Sequence, residues 1–399
     1  MTSESAPEKK LPRAVIGLGL VSLFTDTSSE AIFPLLPAFL VSLGAPNWFI
    51  GLVEGTAELV ANSLKLVTGL LSDRVARLKP LVLAGYGLST VVRPLVAFAT
   101  APWHVLLIRA GDRVGKGVRT SPRDALIASV TDPSIRGRAY GFHRAMDHAG
   151  AALGTLLASG LLLLLGATSG ATVENAAKMR TVFLWAAVPG VFAMIALALT
   201  REPVRAVAPA EAKKAGEPLP PMLKRALVAL TLFALANATD AFLLVKAAKL
   251  GASPVLAPML WLTLHVIKAS TATTGGRLAD KYGKRNALIL GWCVYAVLWG
   301  AIGFADSLVV LFALTAGYGV SHGLVEGAER GLIADLASGR AKGKAFGAYN
   351  MLIGLAALAS STAFGAVWDR FGSVPAFVGS AAFALLAAVA LRWLVPQKA

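Results

Sequence analysis

The stretch Gly69-Leu-Leu-Ser-Asp73-Arg74-Val-Ala-Arg77-Leu-Lys79 returns as Gly276-Arg-Leu-Ala-Asp280-Lys281-Tyr-Gly-Lys284-Arg285, 207 positions later. Each copy is a short basic hinge between two long apolar runs. Three further matches keep almost the same offset. Arg123-Asp124-Ala-Leu-Ile-Ala128 resembles Glu329-Arg330-Gly-Leu-Ile-Ala334, and Arg136-Gly-Arg138 resembles Lys342-Gly-Lys344. Leu43-Gly44-Ala45 recurs as Leu250-Gly251-Ala252. A chain built twice from one pattern has two equivalent halves. Apolar runs of about 20 residues on either side of the hinges make those halves membrane bundles. Duplicated membrane bundles commonly move a solute across the bilayer.

The composition agrees. Of 399 residues 56% are hydrophobic and 15% charged, against about 25% charged in a soluble domain. Roughly twelve apolar spans are predicted, near 14–41, 48–71, 80–100, 103–126, 139–166, 181–200, 224–249, 255–275, 286–304, 308–334, 345–367 and 374–395. The fold class is therefore an all-α integral membrane protein. Its domains are a 1–13 terminus, bundles over 14–200 and 222–396, and a Pro-rich, charged linker over 201–221. The net charge of +16 does not point to nucleic acid. The basic residues fall in alternate loops, which by the positive-inside rule places both termini in the cytoplasm. Lys178, Arg180 and Arg370 are exceptions to that alternation. No cleavable leader pattern opens the chain, and the lone Cys293 lies in an apolar span. No GxxxxGK[ST] motif is present, so no nucleotide cofactor is called for.

Charged residues inside the spans are unevenly placed. Asp26 and Glu30 lie in the first span. Glu54, Glu58, Asn62 and Lys65 form a helical stripe in the second. Arg109, Asp112, Arg113, Lys116, Arg119 and Arg123 fill the fourth, and His143, Arg144, Asp147 and His148 the fifth. The second half is poorer. It offers Asn237, Asp240, Lys246, His265, Lys268, His322, Glu326, Glu329 and Arg330. Polar stripes on apolar helices must face protein or water rather than lipid, and a charge near mid-bilayer costs about 2.5–3.5 kcal/mol on insertion scales. Four acids in two neighbouring spans cannot all be cheaply ionised. Asp26, Glu30, Glu54 and Glu58 are thus the proton-coupling candidates. Arg109, Arg113 and Lys116 make a basic stripe suited to an organic anion or zwitterion. With His143, Arg144, Asp147, Asn237, Asp240, His322, Glu326 and Asn350 they form the candidate substrate-binding set. Lys65 and Arg93 read as structural ion-pair members or snorkelling groups. Neither a metal site nor a nucleophile with its base is evident, and an enzyme is not expected.

Twelve spans, a 6+6 duplication and the two hinges resemble the major facilitator superfamily over about residues 14–396. The family hinge GxLaDrxGrr is matched by Gly69, Asp73, Arg74, Arg77 and Lys79, with Ala76 in place of a glycine. Gly276, Asp280, Gly283, Lys284 and Arg285 match it more fully. Arg113-Val-Gly-Lys116-Gly117 resembles the proton-linked motif RxxqG with Lys for Gln. Gly150-Ala-Ala-Leu-Gly154 supplies half of the antiporter motif, with Thr155 where proline is usual. The resemblance implies two six-helix bundles with helices one, four, seven and ten around a cavity. It also implies a gate at Gly69, Asp73, Arg74, Arg123, Asp124, Gly276, Asp280, Lys281, Glu329 and Arg330. The expected protein is a monomeric, proton-coupled exporter in a bacterial inner membrane, whose partners are a small molecule, protons and lipid. A multidrug antiporter, a metal or metal-chelate exporter, and a non-transporting chaperone or sensor are the alternatives.

Overall fold

The computed structural model describes residues 10–72, 75–168, 172–202, 218–337 and 342–396. Asp73, Arg74 and most of the central linker lie outside the described residues. The described residues form twelve long helices: α1 Arg13–Ser42, α2 Asn47–Ser72, α3 Lys79–Phe98, α4 Pro102–Val130, α5 Pro133–Leu164, α6 Val173–Leu199, α7 Pro221–Lys249, α8 Leu256–Tyr282, α9 Lys284–Gly303, α10 Leu308–Leu336, α11 Lys342–Phe371 and α12 Ser373–Leu394. There is no strand among the described residues. Among the described residues nine helices are long and apolar enough to cross a membrane. The other three, α2, α4 and α8, each bear a polar stripe, and that stripe lowers their apolar content without shortening them.

The repeat seen in the sequence has a local cause at Leu43-Gly44-Ala45 and Leu250-Gly251-Ala252. Both glycines take a left-handed backbone, with φ of 83° and 84°, which costs a residue with a Cβ but not glycine. The same bonds close both turns. Ala45 N–H donates to Leu40 O at 2.9 Å, and Ala252 N–H to Ala247 O at 3.0 Å. Each turn satisfies carbonyls left over at a helix end and reverses the chain. The two halves also break their leading helix at matching places. α1 tightens into a 3-10 turn at Phe33–Leu35, where Pro34 and Pro37 remove backbone donors. α7 unwinds between Ala236 and Ala241.

α6 starts eight residues before the expected span, which accounts for two of the exceptional cations. Arg180 donates to Ala97 O and, at 2.6 Å, to Ala99 O at the end of α3. Lys178 donates to Gly166 O at 2.8 Å and pairs with Glu174. Both neutralise local carbonyls rather than report loop topology.

Hereafter the hinge end is the end of the bundle holding Val75–Leu78 and Gly283. The far end holds Gly44 and Gly251. Across the halves, α2 packs on α11, α5 on α8, and the far end of α1 on that of α7. The α2–α11 seam is lined by glycine. A Cβ on Gly51 would run into the Ser361 carbonyl, one on Gly365 into that of Asn47, and one on Gly55 would lie 2.6 Å from Leu358 Cα. At its far end Asp369 of α11 caps the first turn of α2. It accepts from Asn47 N at 3.2 Å, Asn47 Nδ2 at 2.7 Å and Trp48 N at 2.9 Å. Those backbone donors have no partner within their own helix. A further far-end link runs from Ser159 Oγ to Val255 O at 2.9 Å.

Candidate functional site

Two chambers that share Glu30, Lys116 and His265 lie between the halves. The inner one, of about 390 Å³, sits beside the break in α7 and is walled by both halves. Its N-terminal wall carries Glu54, Glu58, Arg113 and Lys116. Its C-terminal wall carries Asn237, Asp240, Trp261, Lys268 and His322. The outer chamber, of about 570 Å³, runs from there toward the hinge end past Asp26, Arg119, His143 and Asp147. Its mouth is rimmed by Tyr140, Arg144 and Arg330, all exposed. The far end is closed by the links described above. Among the described residues this conformation is therefore open at the hinge end and closed at the far end.

The polar residues divide into those already committed to one another and those that face the space. Arg109 grips Glu54 with two prongs, Nε to Oε1 at 3.0 Å and Nη2 to Oε2 at 2.8 Å, and reaches Asp112 at 3.6 Å. Both partners of the pair are buried. Asp112 also takes Arg93 Nε at 2.7 Å, and Arg93 donates to Thr25 O. These four residues lock α1, α2, α3 and α4 together. The sequence reading gave Arg109 a substrate role and Glu54 a proton-carrying role, but their geometry makes them each other's counter-ion. Arg93 is the ion-pair member expected.

Arg113 and Lys116 behave otherwise. Both line the inner chamber, and neither forms an ion pair among the described residues. Arg113 Nε is buried with no hydrogen-bond partner. They sit a turn beyond Arg109 on α4, so one helical stripe begins as a structural brace and continues as a basic chamber wall. Glu58 lies opposite on α2, joined only loosely to Asn62 at 3.5 Å. Asp26 faces the outer chamber with no ion-pair partner for its carboxylate among the described residues. It is within electrostatic reach of Asp147, Glu30, Lys116 and Arg119. Asp147 accepts from Ser22 Oγ and lies 3.5 Å from His143 and 3.7 Å from Arg144.

The C-terminal wall is one network. Asp240, at the unwound point of α7, takes Lys268 Nζ at 2.8 Å and Tyr318 Oη at 2.6 Å, with His322 Nε2 4.0 Å away. Glu30 crosses the interface to accept Trp261 Nε1 at 2.7 Å, and the Trp261 ring packs at a tilt against Phe33, with centroids 4.6 Å apart. Trp261, Lys268 and Tyr318 were not in the expected binding set. A signal for Trp261 was present. At the repeat offset of 207 it stands where Glu54 does, and His265 stands where Glu58 does.

Toward the hinge end, Arg144 pairs with Glu326 at 3.2 Å across the halves, and Arg330 approaches Glu326 at 3.9 Å. Arg144 and Glu326 are exposed, so this link lies at the chamber mouth rather than in the inner chamber. Arg123 pairs with Asp124 at 2.9 Å, and Tyr140 Oη donates to Asp124 O. Glu329 is half-buried on α10. Asp280 and Lys281 are exposed at the end of α8, near Gly276, and Gly69 packs by Ser121. Asn350 is half-buried on α11 and lines neither chamber. Among the described residues no three His, Cys, Asp or Glu side chains are placed to hold a metal ion.

A bundle of apolar helices around a charged chamber that opens at one end is the architecture of a membrane transporter. Comparison with known proteins agrees. The family model described as Major Facilitator Superfamily matches residues 18–267 and 226–399. An uncharacterized MFS-type transporter of Methanocaldococcus jannaschii is 30% identical over 393 residues, covering 93% of this chain and 94% of that one. A multidrug resistance protein of Proteus mirabilis is 34% identical over 133 residues, 33% of each chain. Among solved structures, a bacterial homolog of the human lysosomal transporter Spinster, inward-facing and occupied, superposes with a TM-score of 0.79 at 17% identity over 98% of both chains. The chain belongs to the major facilitator superfamily. It is a multi-pass membrane transporter, not an enzyme, of a family that binds small molecules and generally works as monomers.

Proposed function

We propose that this protein is a proton-coupled secondary transporter that exports a small organic anion or zwitterion by alternating access. The observation that carries the substrate class is the Arg113 and Lys116 pair. Two cations project into the inner chamber without an ion-pair partner, and one has a buried donor left open. A carboxylate or phosphate group on the solute would satisfy them. The opposite wall, with Asp240, Lys268 and Trp261, offers a complementary surface for a cationic or aromatic portion. Proton coupling rests on Asp26. Its carboxylate lies in the outer chamber, crowded by Asp147 and Glu30 and answered only at a distance by Lys116 and Arg119. An acid so placed exchanges a proton when its neighbours rearrange. Glu58 is the second coupling residue, and Glu30 reports the approach of the C-terminal half through Trp261.

In this reading the bundles 14–200 and 222–396 rock about the chamber. Gly69, Asp73, Arg74, Gly276, Asp280 and Lys281 work the hinge-end gate with Arg123, Asp124, Glu329 and Arg330. The hinge end faces the cytoplasm, the protein lies in a bacterial inner membrane, and it acts as a monomer. The partial likeness to a multidrug resistance protein favours a broad-specificity H⁺ antiporter as second reading; the charged inner wall weighs against a pocket for hydrophobic drugs. In proteoliposomes carrying a pH gradient, purified protein should move protons with an added organic anion. Arg113→Gln should weaken substrate binding at least tenfold, and Asp26→Asn should keep binding while losing the response to the gradient. Equal transport of cationic drugs and anions by the parent, or unchanged coupling in both Asp26→Asn and Glu58→Gln, would defeat this reading.

A further inference from the structure

Outside the chambers, a groove of about 580 Å³ runs along the lipid-facing surface between the hinge ends of α1 and α6. One wall is Gly17, Leu20 and Phe24. The other is Phe192, Ile195 and Leu199. Leu20 is 40% exposed, Phe192 50% and Leu199 77%, so the walls face away from the transport path. Gly17 brings the helices together, because a Cβ there would collide with the Thr200 hydroxyl. The Phe24 and Phe192 rings, 5.7 Å apart, close the floor.

The mouth of this groove is positively charged and unanswered. Arg13 and Arg201 line it, and neither makes an ion pair or hydrogen bond among the described residues. Glu202, next to Arg201 in the chain, accepts instead from the backbone N–H groups of Leu78 and Lys79, at 2.6 and 3.0 Å. Lys79 in turn spends its ammonium on Ala198 O and Thr200 O. Among the described residues no side chain caps the start of α1, which leaves its first backbone donors at the same mouth. Arg13 opens α1 and Arg201 follows the end of α6, the positions at which a spanning helix meets lipid headgroups. The wall from Arg13 to Phe24 spans about 16 Å along the helix, enough for the upper part of an acyl chain.

We propose that this groove is a binding site for one anionic phospholipid of the adjoining leaflet. Its phosphate sits between Arg13 and Arg201, and an acyl chain lies along the apolar walls. Diffuse attraction of interfacial cations for anionic lipid is general. The groove adds shape, a fixed stoichiometry of one, and a clamp holding α1 to α6 within the N-terminal half.

Native mass spectrometry of the purified, delipidated full chain tests this, with titration by phosphatidylglycerol, phosphatidylcholine or glycerol 3-phosphate. One phosphatidylglycerol should be retained in preference to phosphatidylcholine, and glycerol 3-phosphate should not bind. Arg13→Gln with Arg201→Gln should weaken retention about thirtyfold, at roughly one interfacial charge contact each. Leu20→Trp, which fills the groove and leaves both cations, should weaken it as well. Arg225→Gln, at the start of α7, should change nothing. Equal retention of the two lipids overturns the proposal, as does parent-like binding by either the double variant or Leu20→Trp. Tight binding of glycerol 3-phosphate alone overturns the lipid in favour of a soluble anion.

Discussion

Asp369 holds the far end shut, and removing its carboxylate should open that end more often. Its three bonds satisfy two backbone donors and one side-chain amide of α2 from the opposite half. They also place a negative charge at the positive end of the α2 dipole. Loss of a capping side chain costs about 1 kcal/mol, within a range of about 0.5–2. The bonds cross the two halves, so they stabilise the conformation closed at the far end and not the individual bundles. Asp369→Ala should therefore shift the balance between far-end-open and far-end-closed molecules about fivefold toward open. Melting temperature should move little. Spin labels at Trp103 and Val309, both exposed at the far end and in opposite halves, report the change in a background lacking Cys293. Double electron–electron resonance in lipid should show a longer-distance population that grows in the variant. Asp369→Asn, which keeps one acceptor, should fall between the two. A distance distribution identical to that of the parent would refute the capping argument.

Other expectations concern packing and gating. Glu54→Gln leaves buried Arg109 with only the Asp112 contact at 3.6 Å, so it should lower stability by about 1–3 kcal/mol, read as a drop in melting temperature. Glu54→Gln with Arg109→Met should recover much of that loss. Gly51→Ala drives a Cβ into the Ser361 carbonyl and should abolish folded protein by size-exclusion profile. Gly160→Ala, with nothing within 4 Å of the added atom, should be neutral or slightly stabilising. Asp280→Asn should slow transport while leaving substrate affinity near the parent value in equilibrium binding; an unchanged rate would remove Asp280 from the gate.

Much of the architecture was legible because membrane burial enforces simple rules. Hydropathy located the twelve helices to within a few residues, except the starts of α5 and α6 and the end of α8, which runs on to Tyr282. The early start of α6 was hidden because Glu174, Lys178 and Arg180 look like loop residues until their carbonyl partners on neighbouring elements are known. The repeated Leu-Gly-Ala turns were visible since only glycine takes their backbone. What the sequence conceals is which charges answer which. Arg109 and Arg113 are four positions apart on one polar stripe, yet one is spent on Glu54 and the other faces open space. That difference depends on the positions of α2 and α1, set by long-range packing. Trp261 was overlooked because an aromatic in an apolar span carries no polar flag, although the repeat pairs it with Glu54.

The α2–α11 seam has a consequence for descent. Where a backbone carbonyl occupies the place of a side chain, no substitution at Gly51 or Gly365 is tolerated, however mild. Lineages that share this seam should therefore keep small residues there while the chamber walls change to suit new cargo. On the α5–α8 side no described glycine meets a backbone carbonyl of the other half, so that face has no such steric restriction. Those positions on α2 and α11 form a signature independent of the hinge motif. It sorts relatives by how their halves turn against each other rather than by what they carry.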